Sequence, residues 1–346
     1  MGTLWFCLIA LMIAIYVLLD GFDLGAGAIH LFVAKTDEER RQVLASIGPV
    51  WDGNEVWLIA AGGTLYFAFP VLYASGFSGF YLPLMIVLWL LILRGTSIEF
   101  RNHIRSAVWD PLWDFLFCAS SLLLCVFFGA ALGNVVRGVP LDGSGYFFEP
   151  LWTDFQLGDQ PGILDWYSIL VGLLALAALV VHGALWVTLK TTGPVRERSL
   201  RLATQCWWGV LLLTGIVTLA SFRVQPQIMA HFRRSPWGAI FPVLAIAGLA
   251  GIRWASARKD EVKGFLTSAC YLAGMLLSVV FGVFPMVLPA RNPAYSLTVE
   301  NSQAGSYGLK VGAIWWILGM ILAAGYFIHV YRSFAGKVAL DKHSSE

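Results

Sequence analysis

Residues 4–33 read LWFCLIALMIAIYVLLDGFDLGAGAIHLFV, and no charge appears before Asp20. A bilayer core about 30 Å thick is crossed by roughly 20 apolar residues in helical form, so this stretch is long enough to span it. It has no basic flank and no small-residue cleavage site ahead of Asp20, which reads as a retained span rather than a signal peptide. Stretches of the same kind recur at about 50–74, 77–98, 112–134, 163–189, 203–222, 237–255, 264–288 and 309–331, making nine. The whole chain carries only 13% charged residues against 58% hydrophobic ones, about half the charged share of a soluble domain. Lipid is therefore the expected solvent. The fold expected is all-α, a polytopic membrane protein of about nine transmembrane helices in one integral domain, 1–346, with no soluble domain in any connection.

Orientation follows from where the basic residues fall. Of 23 Lys and Arg, 17 lie on the side reached by alternate connections and the C-terminus, and 6 on the other. The basic side includes Lys35, Arg40, Arg41, Arg94, Arg101, Arg105, Lys190, Lys263, Arg332, Lys337 and Lys342. The positive-inside rule makes that side cytoplasmic and puts the N-terminus outside. The outer 6–7 connection, with Arg223, Arg233 and Arg234, runs against the rule. The longest connection, about 135–162, holds Pro140, Gly143, Gly145 and Pro150 beside Asp142, Glu149, Asp154 and Asp159, and reads as an ordered external loop or short interfacial helix. A net charge of +2 is too small to suggest nucleic acid. Five cysteines in apolar stretches form no metal-ligand spacing and read as small buried hydrophobes.

Ionisable groups inside spans are costly and need a partner, a wet cavity or a function. Asp20 and Asp23, three apart, share a face of the first helix. Gly21 and Gly25 form a small-xxx-small pair that admits a close helix crossing. Two carboxylates there are able to share a proton, or simply to tie helices together. The second span opens Trp51-Asp52-Gly53-Asn54-Glu55-Val56-Trp57 after Pro49, which suits a first helical turn. Asp52 alone is compatible with a helix cap. Two acids, an amide and two indoles in seven residues fit the mouth of a proton or ion path better. Arg94 is explained by snorkelling, by a salt bridge to Asp23 or Asp52, or by a clamp on a cofactor carboxylate. His30, His182 and His329 lie near cytoplasmic ends, as polar tips at the interface, and no two are spaced as a haem ligand pair.

Asp20-Gly-Phe-Asp23-Leu-Gly-Ala-Gly27, the segment Gly48 to Trp57, and Phe77-Ser-Gly-Phe-Tyr81 resemble those of subunit II of cytochrome bd-type quinol oxidases. Phe284-Pro-Met-Val-Leu-Pro289 and Ser296-Leu-Thr298 resemble the same family between its last two helices. The resemblance covers essentially the whole chain and implies one half of a heterodimer in the bacterial inner (cytoplasmic) membrane. In that family the larger subunit I carries two b-type haems, haem d and the quinol-oxidising loop. The pair oxidises quinol on the outer side, reduces O2 to water and takes protons from the cytoplasm. On this likeness this chain ligates no haem or metal and supports subunit I. Asp52 stands at the entrance of a proton path, with Glu55, Asp20 and Asp23 as further proton holders. Trp57 lies near an oxygen route, and Asp23, Arg94 and Glu99 support the haem region of the partner. A structural quinone occurs in some members, and the likeness leaves room for a small accessory subunit. Glu55 stands where some members carry glutamine. The reading from a different class is a proton-coupled secondary transporter using Asp20, Asp23 and Asp52.

Overall fold

A computed structural model describes residues 1–101, 103–104, 106–158 and 161–338. Arg105, Asp159, Lys342 and His343 lie outside the described residues. The chain is helical nearly throughout: α1 (Gly2–Val33), α2 (Asp37–Ile47), α3 (Trp51–Ala68), α4 (Pro70–Gly79), α5 (Tyr81–Phe100), α6 (Trp109–Arg137), α7 (Trp166–Lys190), α8 (Gly193–Val224), α9 (Pro226–Arg234), α10 (Ile240–Ala257), α11 (Glu261–Val283), α12 (Val299–Ser302) and α13 (Ser306–Ser333).

Among the described residues eight helices are long and apolar enough to cross a bilayer: α1, α5, α6, α7, α8, α10 with the turn before it, α11 and α13. The other expected stretch, 50–74, divides at Phe69 into α3 and α4. Pro70 removes an amide donor and pushes the residue before it out of helical backbone, and Phe69 sits at φ −135°, ψ 66°. The Ala68 carbonyl accepts instead from the Ala304 amide at 2.9 Å. Asp52, Asn54 and Glu55 also make α3 the most polar of the expected spans. Pro49 is not in a first helical turn but in the bend between α2 and α3. The stretch 264–288 likewise stops at Val283, ahead of Pro285, and its tail becomes a strand.

Helix α1 is the hub, packed against α3, α6, α7 and α11, while α5 packs on α6, α8 on α7, and α10 on α11. The glycine pattern sets one of these crossings. A methyl group on Gly25 would overlap the backbone at Leu179 and Gly183 of α7, and one on Gly183 would overlap Gly25. The small-residue crossing expected from Gly21 and Gly25 is thus made with α7. Gly27 meets Ser121 of α6 in the same way. Near the N-terminus the face bearing Leu4, Cys7 and Leu11 is exposed, so Cys7 is a surface residue and not a buried one.

Helix α2 is amphipathic and opens with a capping box, Thr36 Oγ1 accepting from the Glu39 amide at 3.3 Å and Glu39 bonding back to Thr36 N. Arg198 of α8 grips Glu39 through two hydrogen bonds, which bring its carboxyl down to about 2. At the opposite end β1 (Met286–Leu288) pairs antiparallel with β2 (Leu297–Thr298). Leu288, Ala290 and Leu297 pack with Val139, Leu141 and Phe147 into a small apolar cap.

Candidate functional site

The two acids of α1 point to different neighbours, because three residues along a helix turn the side chain by about 60°. Asp20 faces α5, where Arg94 binds it with both terminal nitrogens; Nη1 donates to Oδ2 at 2.8 Å and Nη2 to Oδ1. Both residues are fully buried. Arg94 is therefore neither a snorkelling arginine nor a partner of Asp23 or Asp52. Its ion pair is with Asp20, so the two acids do not form a proton-sharing dyad. Asp23 faces α3, and Asn54 Nδ2 donates to its Oδ2 at 2.7 Å. Tyr331, in the last turn of α13, donates to Asn54 Oδ1 at 2.9 Å. Asp23 Oδ1 is buried with no hydrogen-bond partner among the described residues.

The first turn of α3 sorts its side chains by angle. Asn54 points inward to α1, and Asp52, two residues and about 200° away, is exposed. Val50 occupies the cap position without a side-chain bond, so Asp52 does not cap α3. Glu55 is half-buried, in electrostatic reach of Arg94, Asp20 and Asp52. Trp57 is buried beside Met12, Tyr16 and Ala61, its ring 5.6 Å from that of Phe327. Its indole nitrogen has no partner among the described residues. Glu99 does not join the cluster: it is exposed at the end of α5, and its carbonyl accepts from His103 Nδ1 at 2.8 Å.

Next to Tyr331 lies a cavity of about 260 Å³, whose lining includes Ser46, Val50, Trp186, Lys190 and Lys337. Lys337 Nζ donates to the Thr188 carbonyl at 2.9 Å, which draws the segment after α13 across its edge. That volume is large enough for several waters. Polar groups thus run from the cavity through Tyr331 and Asn54 to Asp23.

His30 and His182 are not interfacial tips, since both are wholly buried. His182 uses both ring nitrogens, Nε2 donating to the Leu18 carbonyl at 2.9 Å and Nδ1 lying 2.7 Å from Ser268 Oγ. His30 Nε2 is 2.7 Å from Asp114, which Arg101 Nε reaches at 2.7 Å and Arg40 at 3.0 Å. His329 is exposed on α13. The His30 and His182 imidazoles each bond to a neighbouring helix and do not face one another as a haem ligand pair, and no group of three metal-ligating side chains occurs among the described residues. Asp114 escaped the sequence reading, though an acid two residues into the apolar stretch 112–134 is the signal that would have found it.

The long connection between α6 and α7 is an ordered loop with no helix among its described residues, pinned by a second buried cluster that sequence reading also missed. Arg137, at the end of α6, binds Glu149 of the loop and Asp165, and donates to the Gly162 carbonyl at 3.0 Å. Asp165 also caps α7 through the amides of Tyr167 and Ser168. Burial pushes the Glu149 carboxyl up to about 7; Arg137 opposes the shift, Asp165 adds to it and Arg291 opposes it. The folded chain then holds a proton that the unfolded chain releases near 4.5. Stability contributed by this site should fall as pH rises from about 4.5 to about 7, by about 3 kcal/mol in all. Amide exchange across 138–158 should accelerate over that range beyond its intrinsic dependence, and Glu149→Gln should flatten the profile. A wild-type profile as flat as the variant's would refute it.

A family model described as cytochrome bd terminal oxidase subunit II matches residues 1–334. The chain is 31% identical to the cytochrome bd ubiquinol oxidase subunit 2 of Bacillus subtilis, over 97% of this chain and 96% of that one. It is 30% identical to a probable cytochrome oxidase subunit 2 of Haemophilus influenzae, over 99% and 97%. Its fold superposes on the bd oxidase of Geobacillus thermodenitrificans with a TM-score of 0.76 at 16% identity, covering 96% of this chain and 98% of that one. The chain belongs to the cytochrome bd terminal oxidase subunit II family.

Proposed function

We propose that this chain, as subunit II of a bd-type quinol oxidase, carries protons from the cytoplasm toward the oxygen-reducing centre of a haem-bearing subunit I. The observation that carries this reading is the polar chain on the inner side of α3, where Tyr331 and Asn54 lead to the buried Asp23 with its free oxygen, while Asp52 and Glu55 on the other side of the same turn approach the Asp20–Arg94 pair. Asp52 collects protons at the surface, and Glu55 stands between it and the Asp20–Arg94 pair. Asn54 orients Asp23 and leaves Oδ1 as the oxygen able to take a proton. Trp57, in its apolar nest, borders the oxygen route. Asp20, Asp23 and Arg94 support the haem region of subunit I by holding α1, α3 and α5 in register, and Glu99 extends that support at the cytoplasmic end of α5. The two b-type haems and haem d, with the quinol site, reside in subunit I and supply the redox chemistry.

In this reading α3 crosses the membrane as well, making nine spans in the inner membrane with the N-terminus outside. Subunit I docks on the α3–α5 face. Ile59, Tyr66 and Trp89 are exposed there by 62–72%, and Gly62 and Gly63 have open space where a side chain would stand, which suits a close helix approach. The test is oxygen uptake by the purified two-subunit complex supplied with reduced quinol, together with its absorbance spectrum. Quinol-dependent uptake and a haem spectrum that vanishes from the isolated chain are expected. A complex without quinol-dependent uptake, or haem retained by this chain alone, would sink the reading.

A further inference from the structure

The connection between α8 and α10 breaks the charge pattern of the rest of the chain, and its geometry says how. Helix α9 turns Ile228 and Phe232 onto α11, where they close over Gly282, and His231 stacks edge-on to Phe281 at 4.8 Å. Gln227, Ala230, Arg233 and Arg234 face outward, as does Arg223 in the last turn of α8. Trp237, just after α9, is 67% exposed. No Asp or Glu occurs anywhere from 198 to 259, and none of these three arginines has an ion pair or hydrogen bond among the described residues. Arg94, Arg101, Arg137, Arg196 and Arg198, by contrast, all grip carboxylates.

The position of the patch narrows what its charge is for. Because α8 and α10 are both spans, the short helix joining them lies at a membrane surface whichever way the chain is oriented. The walls beneath it are apolar and exposed, with Trp208, Leu212 and Leu219 on α8 and Ile240, Val243 and Ile246 on α10. These two helices pack on α7 and α11, not on the α3–α5 face. An amphipathic helix with arginines outward, an indole at the interface and acyl-chain-compatible walls below is complementary to a phospholipid that carries net negative charge.

We propose that Arg223, Arg233, Arg234 and Trp237 form a binding site for the headgroup of an anionic phospholipid, whose acyl chains lie along the exposed faces of α8 and α10. The guanidinium groups bind the phosphate oxygens, and Trp237 stands at the level of the glycerol backbone. Arginine suits this role because its planar fork meets two phosphate oxygens at once.

The test uses the intact two-subunit complex in nanodiscs of phosphatidylcholine, with or without phosphatidylglycerol, and counts the lipid retained after mild detergent extraction by native mass spectrometry. The wild type should retain phosphatidylglycerol in preference to phosphatidylcholine, and a wash with inorganic phosphate should leave the lipid in place. Arg233→Gln with Arg234→Gln should lower the apparent affinity for phosphatidylglycerol on the order of tenfold, given the attraction that each surface arginine contributes. The haem spectrum reports that the variant complex is intact. Arg233→Lys with Arg234→Lys, which keeps the charge, should retain most of the preference. A wild type that does not discriminate between the two lipids overturns the proposal without any variant, and so does unchanged retention in the glutamine pair. Displacement by phosphate alone would also overturn it, by showing a site for the free anion.

Discussion

Replacing Arg94 with alanine should leave a two-subunit complex that assembles poorly and carries markedly less haem, before any effect on proton delivery can be read. The cause is local to this chain. Arg94 and Asp20 are both wholly buried and bound by two hydrogen bonds between α5 and α1. Removing one partner of such a pair leaves an uncompensated charge in a medium that cannot solvate it, at a cost of about 3–5 kcal/mol. That is a large fraction of the stability of a whole domain. This contact fixes α5 against α1, and α5 belongs to the α3–α5 face proposed to meet subunit I. Haem absorbance per complex, measured alongside the yield of the heterodimer, reads the effect directly. A charge-neutral pair, Asp20→Leu with Arg94→Met, should recover much of the assembly, because exchanging a buried ion pair for apolar side chains is often close to neutral. Haem content in Arg94→Ala equal to wild type would show that α1 and α5 do not need the pair.

The helical layout was legible because lipid imposes a simple rule on composition, and the stretches 4–33, 112–134 and 163–189 coincide with α1, α6 and α7 within a few residues. The glycine crossing was legible for a similar reason: small residues four apart have few other uses on a span. Ends were less so. Phe69-Pro70 and Phe284-Pro285 both stop a helix where hydropathy alone runs on, and in each case proline is the reason. The polar partnerships were the least legible part. Arg94 could be recognised as expensive, but its choice of Asp20 over Asp23 rests on a 60° difference around α1 and on where α5 lies. Asn54 has no charge to draw the eye, yet its amide holds Asp23 on one side and Tyr331, 277 residues away, on the other. Arg137, Glu149 and Asp165 meet only because a loop folds back over the end of α6. Nothing in the spacing of such residues encodes which of them will touch.

Asp52→Asn should slow quinol-driven oxygen uptake roughly tenfold while the haem spectrum stays unchanged, with Glu55 still able to hold a proton nearby; Asp52→Asn with Glu55→Gln should approach 10²-fold, the lower end of what a positioned acid–base group contributes. The geometry separates this effect from damage to the fold. Asp52 is exposed, makes no capping bond and belongs to no ion pair among the described residues, so an amide of the same shape costs little stability. What the amide loses is the ability to take and release a proton. Asn54, on the inner side of the same helical turn, supplies the contrast: Asn54→Leu cuts the link to Asp23 and Tyr331 without touching the surface acid. If protons enter by way of Asp52, turnover should depend on the acid even when the inner chain is intact. If they come mainly from the cavity beside Tyr331, Asn54→Leu should be the slower enzyme and Asp52→Asn nearly normal. Unchanged turnover in Asp52→Asn, singly and with Glu55→Gln, would strip the outer approach of any part in proton uptake and leave Asp52 as a contact for subunit I.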